Sequence, residues 1–207
     1  MPNHKEIDQD GIQGVLHLPA APNSSGIVLT HGAGADYHST LLTAVAEQLA
    51  EHGFHVLLCN LAFRQRRRTG PPHPSKANED RHSLSQAAAF LRKYTPDRLI
   101  LGGHSYGGRQ ATILASENKS IADYLLLLSY PLHPPEKPAQ LRTAHFSKLK
   151  VPATFIHGSA DPFGTPDEMQ AALKLIPAQT KLAILNHAGH DLLKGRFDLV
   201  ALAGDLA

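Results

Sequence analysis

The sequence of 207 residues contains a single cysteine, Cys59, and therefore cannot form an intramolecular disulfide bond. No stretch reaches the roughly 18 apolar residues of a membrane-spanning helix, and no apolar signal segment follows Met1. The 20 basic residues nearly balance the 18 acidic ones, so the formal charge of +2 gives no general attraction to nucleic acid or anionic lipid. These absences predict a cytoplasmic protein with no membrane span and no nucleic-acid partner.

Motifs for metal ions and nucleotides are also missing. The chain has 14 histidines but no His-Glu-x-x-His motif, and His187 with His190 supplies only two nitrogens next to one carboxylate, Asp191. The small-residue loop 31–35 matches neither Gly-x-Gly-x-x-Gly nor a P-loop. We therefore expect neither a metal site nor a cofactor.

The hydrophobic content of 42% is enough for one domain with a substantial core, which we place over residues 1–207. An opening hairpin is predicted around the turn Asp10-Gly11. Short apolar strands then alternate with helical segments. The predicted strands are 27–30, 54–59, 98–101, 123–128, 153–157 and 181–185, and the predicted helices are 39–52, 79–94, 107–117, 166–175 and 191–203. This alternation is typical of an α/β fold with a mostly parallel sheet and helices on both faces, which binds ligands at the carboxyl ends of its strands.

The segment Gly103-His104-Ser105-Tyr106-Gly107 follows one of these strands directly and has the form Gly-x-Ser-x-Gly. This pattern is typical of a nucleophile elbow, a turn from strand to helix so tight that only glycine fits two residues to either side of the serine. The segment after Gly107 is rich in helix formers, as such an elbow requires. Ser105 is therefore the candidate nucleophile.

A serine hydroxyl needs a base within hydrogen-bond reach and a third group to orient that base. Asp161 lies in a turn after the predicted strand 153–157, and His190 lies in the loop after the last predicted strand. His187, three residues earlier in the same loop, is the rival base. Parallel strands would bring all of these loops to the edge where Ser105 lies.

Small residues after the first parallel strand would allow the backbone to approach a substrate carbonyl closely. We predict that the N–H groups of Ala33 and Tyr106 form an oxyanion hole. His31 and Gly34, in the same loop as Ala33, are expected to contact the substrate.

Arginines are concentrated in the segment Phe63-Arg64-Gln65-Arg66-Arg67-Arg68, after another strand at the same predicted edge. Arg66 and Arg67 are candidate binding residues for a substrate carboxylate or phosphate. The alternative is a solvated loop whose charges pair with the nearby acids Glu79 and Asp80.

Three motifs in chain order make the sequence resemble the α/β-hydrolase superfamily and, within it, a group of small predicted hydrolases. They are Thr30-His31-Gly32-Ala33-Gly34, the arginine-rich segment 63–68, and Gly103-His104-Ser105-Tyr106-Gly107-Gly108-Arg109. The resemblance implies an α/β-hydrolase fold and serine hydrolase chemistry. It also implies the chain order Ser105, Asp161, His190 for the triad, and it favours His190 over His187 because the family's histidine occupies the position after Gly189.

Many relatives carry a cap after the sixth strand, whereas this chain offers only the residues between Ser129 and Pro152. We therefore expect no large cap, and an open, shallow site. The predicted reaction is cofactor-independent hydrolysis of a small-molecule ester or thioester through an acyl-enzyme on Ser105. One alternative is a catalytically silent module that keeps the fold and binds a partner. Another is a small peptidase, although such relatives usually carry a propeller or cap that this chain lacks.

Overall fold

The computed structural model describes residues 3–95, 97–203 and 206. Within these residues, eight strands form one sheet, and six α-helices connect or flank them. The strands are β1 (Asn3–Gln9), β2 (Ile12–Leu18), β3 (Ser25–Thr30), β4 (His55–Cys59), β5 (Arg98–His104), β6 (Tyr124–Leu128), β7 (Ala153–Gly158) and β8 (Thr180–Leu185). The helices are α1 (Thr40–Glu51), α2 (Ala62–Arg66), α3 (Ala77–Arg92), α4 (Tyr106–Glu117), α5 (Pro166–Leu173) and α6 (Leu199–Ala203).

The strand order is β1-β2-β4-β3-β5-β6-β7-β8. The predicted opening hairpin is present as β1 and β2, which pair with each other and with β4 in the antiparallel sense. All other neighbours are parallel, with Val28 of β3 between Leu57 of β4 and Leu101 of β5. The prediction of a mostly parallel sheet is confirmed.

The sheet has an apolar core on each face. Alternate residues of β3 point to opposite sides, so that Ile27 and Leu29 join the core formed with α1 and α6, while Val28 joins the core formed with α3, α4 and α5. All six residues of β3 are buried, because helices cover both faces of the sheet at this central strand. The continuous apolar runs of the sequence are explained by this two-sided burial.

The parallel strands bring the predicted site loops to one edge. The turn after β3 carries Ala33, β5 runs into Ser105, β7 runs into the turn that holds Asp161, and β8 precedes the loop with His190. Residues 129–152 form an extended connection whose only helical part is a short 3₁₀ turn, Phe146–Lys148. The expected absence of a large cap agrees with this connection.

The predicted helix over 191–203 is wrong in its first part. Residues Leu192–Gly195 form a 3₁₀ turn in which Leu193 and Lys194 have positive φ, and α6 is only five residues long. The Asp191 carboxylate accepts a hydrogen bond from the Leu193 N–H and so closes a local turn that competes with the helix. Gly195 also passes so close to α1 that a Cβ there would lie 2.5 Å from Ala44 Cβ.

The arginine-rich segment 63–68, for which a solvated loop was the alternative prediction, is helical as far as Arg66. It begins with the short helix α2, which starts three residues after β4 ends.

Among all the helices in the described part of the chain, none has the length and apolar character needed to cross a membrane.

The contact between β5 and β6 at Gly102 gives a test of the sheet. A Cβ at this position would lie 1.9 Å from the Leu126 carbonyl oxygen, and neither backbone can move without breaking the ladder. We expect Gly102→Ala to lower the free energy of unfolding by about 2 to 3 kcal/mol, measured by urea denaturation. Gly34→Ala is the matched control, because a Cβ at Gly34 meets no atom within 4 Å. Equal stability of the two variants would contradict the packing described here.

Candidate active site

The turn at the end of β5 holds Ser105 in a strained conformation. Ser105 has φ 50° and ψ −114°, and Gly103 has φ 152°. A Cβ at Gly103 would lie 2.3 Å from the Thr30 carbonyl oxygen, and one at Gly107 would lie 2.7 Å from the His31 carbonyl oxygen. Both glycines are therefore required, because the turn packs directly on the backbone at the end of β3.

Ser105, His190 and Asp161 are joined by a continuous set of hydrogen bonds. The Ser105 hydroxyl lies 2.8 Å from His190 Nε2, and His190 Nδ1 lies 2.8 Å from Asp161 Oδ2 and 3.0 Å from Oδ1. With its proton on Nδ1, His190 donates to the carboxylate and presents the lone pair of Nε2 to the serine. The three residues come from three separate segments of the chain, so only the fold brings them together.

Asp161 is buried, with no part of its side chain exposed. Burial alone would raise its pKa, but the hydrogen bond and charge of His190 and the Phe163 N–H, which donates to Oδ1 at 2.9 Å, lower the pKa below the ordinary value. The carboxylate therefore remains ionised at neutral pH and accepts from His190.

Two further aromatic rings contact His190. The ring of His104, inside the elbow, donates from Nε2 to the His190 carbonyl oxygen at 2.8 Å, and the ring of Phe163 packs on His190 with 4.2 Å between centroids. Burial lowers the pKa of His104 to about 4, so its imidazole is neutral. The backbone and the ring of His190 are thus both fixed relative to Ser105.

The rival base His187 lies elsewhere. Its side chain is exposed, and its backbone N–H donates to Ser159 Oγ at 2.9 Å. Within the described residues, the ring of His187 makes no hydrogen bond to Ser105 or Asp161. The geometry favours His190.

The loop after β3 is held by a buried arginine. The Arg64 guanidinium donates from Nε to the Ala35 carbonyl at 2.8 Å and from Nη2 to the Ala33 carbonyl at 2.9 Å. Its remaining donors bond the carbonyl oxygens of Arg67, Arg68 and Gly70. All five N–H groups are used, and every acceptor is a backbone carbonyl. Arg64 thereby fixes the loop backbone from Ala33 to Ala35 and is a positioning residue.

Two backbone N–H groups are available beside Ser105. The Tyr106 N–H is at the first position of α4, where no intrahelical acceptor exists, and neither it nor the Ala33 N–H donates to another described residue. The Tyr106 hydroxyl donates to Asp80 Oδ2 at 2.8 Å, and Asp80 Oδ1 accepts from the Phe63 N–H at 2.9 Å. Asp80 therefore ties the start of α4 to α2.

Four residues predicted to contact the substrate do not line the cavity at Ser105. The His31 side chain is buried between the Gly32 carbonyl and the Leu61 N–H, so it supports the loop from inside. Gly34 is exposed beyond the cavity. Arg66 pairs with Glu79, and Arg67 donates to the Pro71 carbonyl at 2.8 Å. Both arginines line a separate cavity of about 340 Å³ with Phe63, His73 and Lys76.

The cavity at Ser105 has a volume of about 430 Å³. Ala33, Ser105, Tyr106 and Phe163 are among its lining residues. Three further lining residues are arginines: Arg81, Arg109 and Arg142. None of the three was among the predicted site residues, although Arg109 stands four residues after Ser105, in the first turn of the helix that follows the elbow. Over residues 3–95, 97–203 and 206, no group of three or more His, Cys, Asp or Glu side chains is arranged to hold a metal ion.

Comparison with known proteins gives the family of the chain. Residues 23–198 match the family described as "Alpha/beta hydrolase domain", and the protein belongs to that family.

Solved structures share the same fold. A dienelactone hydrolase from Anabaena variabilis is 23% identical with a TM-score of 0.75, over 98% of this chain and 94% of that one. An alpha-beta serine hydrolase homologue from Coxiella burnetii is 18% identical with a TM-score of 0.77, over 100% and 99% of the two chains. An α/β serine hydrolase without lid from Xanthomonas campestris is 19% identical with a TM-score of 0.68, over 98% and 90%.

The buried histidines make stability depend on pH. Burial lowers the pKa of His31 and of His104 to about 4, so in the folded protein both stay neutral where unfolded histidines take up protons. Protons therefore favour the unfolded chain as the pH falls from the unfolded pKa of about 6.5 towards 4. We expect the free energy of unfolding to fall by roughly 1 to 2 kcal/mol per imidazole between about pH 7 and pH 5.

Urea denaturation at the two pH values measures this loss. The variant His104→Gln keeps an N–H donor for the His190 carbonyl but does not titrate, so it should lose less stability on acidification than the wild type. An unchanged pH dependence in this variant would contradict the assignment.

The bonds of Arg64 give a second prediction. Lysine has three N–H donors on one nitrogen and cannot reach five carbonyls, so Arg64→Lys leaves some of these partly buried carbonyls without their hydrogen bond. We expect a loss of about 2 to 4 kcal/mol in the free energy of unfolding and faster amide hydrogen exchange over residues 31–36. The control is Arg68→Lys, at an exposed side chain. An unchanged rate of amide hydrogen exchange over residues 31–36 in Arg64→Lys would contradict the positioning role of Arg64.

Proposed function

We propose that this protein is a serine hydrolase that cleaves small carboxylic esters or thioesters through an acyl-enzyme on Ser105. The observation that carries the proposal is the unbroken hydrogen-bond path from Asp161 through His190 to the Ser105 hydroxyl, with 2.8 Å at each of the two links. Membership of the α/β hydrolase family supports the reaction class, because the three residues occur along the chain in the order Ser, Asp, His that this fold uses.

In the first half of the reaction, His190 Nε2 takes the proton of Ser105 as its oxygen attacks the substrate carbonyl. Asp161 holds the Nδ1 proton in place and stabilises the imidazolium that forms. The tetrahedral intermediate carries a negative oxygen, which the Ala33 and Tyr106 N–H groups would bind as an oxyanion hole. His190 then gives its proton to the leaving alcohol or thiol, and the acyl group remains on Ser105.

In the second half, water replaces the leaving group. His190 takes a proton from the water as the water oxygen attacks the acyl-enzyme, and it returns that proton to Ser105 Oγ when the acid departs. The scheme uses only side chains and backbone groups of this chain. The proposed reaction therefore needs no cofactor. The protein's only partner in it is the small-molecule substrate.

The size and surroundings of the cavity support a small substrate. A volume of about 430 Å³ lies in the lower part of the range of small-molecule sites. The connection 129–152 builds no helical lid over Ser105, and one structure of the same fold is itself described as a serine hydrolase without lid.

A fluorophosphonate probe tests for an activated serine. The wild type should be labelled, whereas Ser105→Ala and His190→Ala should not be. Asp161→Asn should lower kcat for p-nitrophenyl butyrate by about 10³ to 10⁴, because the asparagine favours the wrong tautomer of His190. His187→Ala is the matched control, since it removes a histidine from the same loop, and it should retain both labelling and kcat.

The result that contradicts the proposal is an unlabelled wild type that is folded by circular dichroism. The chain would then be a catalytically silent member of the family. Loss of labelling in His187→Ala and its retention in His190→Ala would instead reassign the base.

A further inference from the structure

The cavity at Ser105 carries a concentration of positive charge that hydrolysis itself does not use. Arg81, Arg109 and Arg142 all line it, from α3, from α4 and from the connection after β6. The burial of His145 and the charges of Arg109 and Arg81 lower the pKa of this neighbouring histidine to about 4. His145 therefore adds no positive charge at neutral pH, and the charge comes from the guanidinium groups.

Arg81 is already neutralised by its neighbours. Its Nε lies 3.3 Å from Glu117 Oε2, its Nη1 donates to Gln110 Oε1 at 3.0 Å, and its Nη2 bonds Asn78. These bonds hold it between α3 and α4. Arg81 is thus accounted for as a structural residue.

Arg109 and Arg142 are different. Within the described residues, neither forms an ion pair with a carboxylate, and the Nε of Arg109 is buried without any hydrogen-bond partner. The one side-chain bond of Arg142 is from Nη1 to the Pro131 carbonyl at 3.2 Å. Burial, together with the charge of Arg109, lowers the pKa of Arg142, as expected for two cations placed close together. Two acids on the same helices have other partners: Asp80 is bonded to Tyr106 and Phe63, and Glu117 to Arg81.

An unpaired buried guanidinium donor is costly unless something supplies an acceptor. Arg109 Nε is such a donor, and the nearby charge of Arg142 adds repulsion between two cations. An anion bound by both guanidinium groups would remove both costs. A carboxylate suits them well, because its two oxygens accept from the planar guanidinium fork.

From this arrangement we infer that the substrate carries a carboxylate, which Arg109 and Arg142 bind while its ester or thioester carbonyl lies at Ser105. The inference rests on the proposed function and specifies its substrate class. It also places anion recognition at residues other than Arg66 and Arg67, which line a separate cavity.

Two matched ester pairs test it. Mono-p-nitrophenyl adipate and its methyl ester differ only in a charge on the acyl side. 4-Butyryloxybenzoate and its methyl ester differ in a charge on the leaving-group side, and division of each kcat/KM by the spontaneous rate constant corrects for the more acidic phenol of the neutral ester. We expect the wild type to prefer the anionic member of at least one pair by about tenfold or more in kcat/KM, after subtraction of the spontaneous rate.

Arg109→Gln and Arg142→Gln should each reduce that preference at least about tenfold, mainly through KM. Arg68→Gln removes the same charge from an exposed side chain and should leave the ratio unchanged. Arg109→Lys retains the charge without the fork and should give an intermediate ratio. Because Arg109 and Arg142 lie on separate elements, a folding defect in one variant leaves the other as a test.

The inference is overturned if the wild type prefers the neutral member of both pairs, or if Arg109→Gln and Arg142→Gln behave like Arg68→Gln. Calorimetric titration separates this result from failure of the proposed function. Ser105→Ala should bind mono-p-nitrophenyl adipate, and Ser105→Ala with Arg109→Gln should bind it at least about tenfold more weakly. Equal binding by these two proteins overturns the inference, and an unlabelled Ser105 in the wild type overturns the hydrolase proposal.

Discussion

The site depends on the contact between the end of β5 and the end of β3. Because Gly103 and Gly107 have no side chains, the turn at Ser105 lies directly on the backbone of Thr30 and His31. This contact sets the distance between the Ser105 hydroxyl and the loop that carries Ala33. It also forces Ser105 itself into its strained backbone conformation. The strain is maintained because two parallel strands, each buried on both faces, hold the turn from both sides.

Around this contact, three buried side chains outside the triad bind backbone carbonyl groups. His31 and His104 are neutral and donate to carbonyl oxygens, and Arg64 uses every donor on carbonyls of two loops. Loops lack the regular ladders of helices and strands, so their carbonyls need such partners when they are buried. The loops of the site are therefore ordered by side chains that do not touch the substrate cavity.

The parts of the fold that the sequence predicted well are those with local causes. The parallel strands were recognisable because two-sided burial leaves continuous apolar runs, and the elbow because its glycines are demanded by a single tight turn. The positions of Asp161 and His190 beside Ser105 also follow from the rule that loops after parallel strands share an edge. In contrast, the start of the last predicted helix failed, because the turn at Asp191 and the contact of Gly195 with Ala44 depend on the packing of α1.

The arginines also show the difference between features with local causes and features that depend on tertiary packing. Five of them lie within or near the two arginine-bearing motifs, and composition alone cannot say which are buried. Arg64 and Arg66 are two residues apart on α2, yet one is inside the protein and the other is in solvent. Only the tertiary structure shows that Arg109 and Arg142, from distant parts of the chain, meet in one cavity.

The carbonyl groups that accept hydrogen bonds from Arg64 have an electrostatic consequence. Carbonyl dipoles satisfy its donors, but they carry no net charge, so a full positive charge remains beneath the loop that holds Ala33. The neighbouring His31 already responds to that charge, which adds to burial in lowering its pKa. In the proposed reaction, a negative charge developing on an oxygen next to the Ala33 N–H would lie in the same field. The residue that shapes the loop thus also sets a positive potential there, before any substrate binds and at no cost in rearrangement.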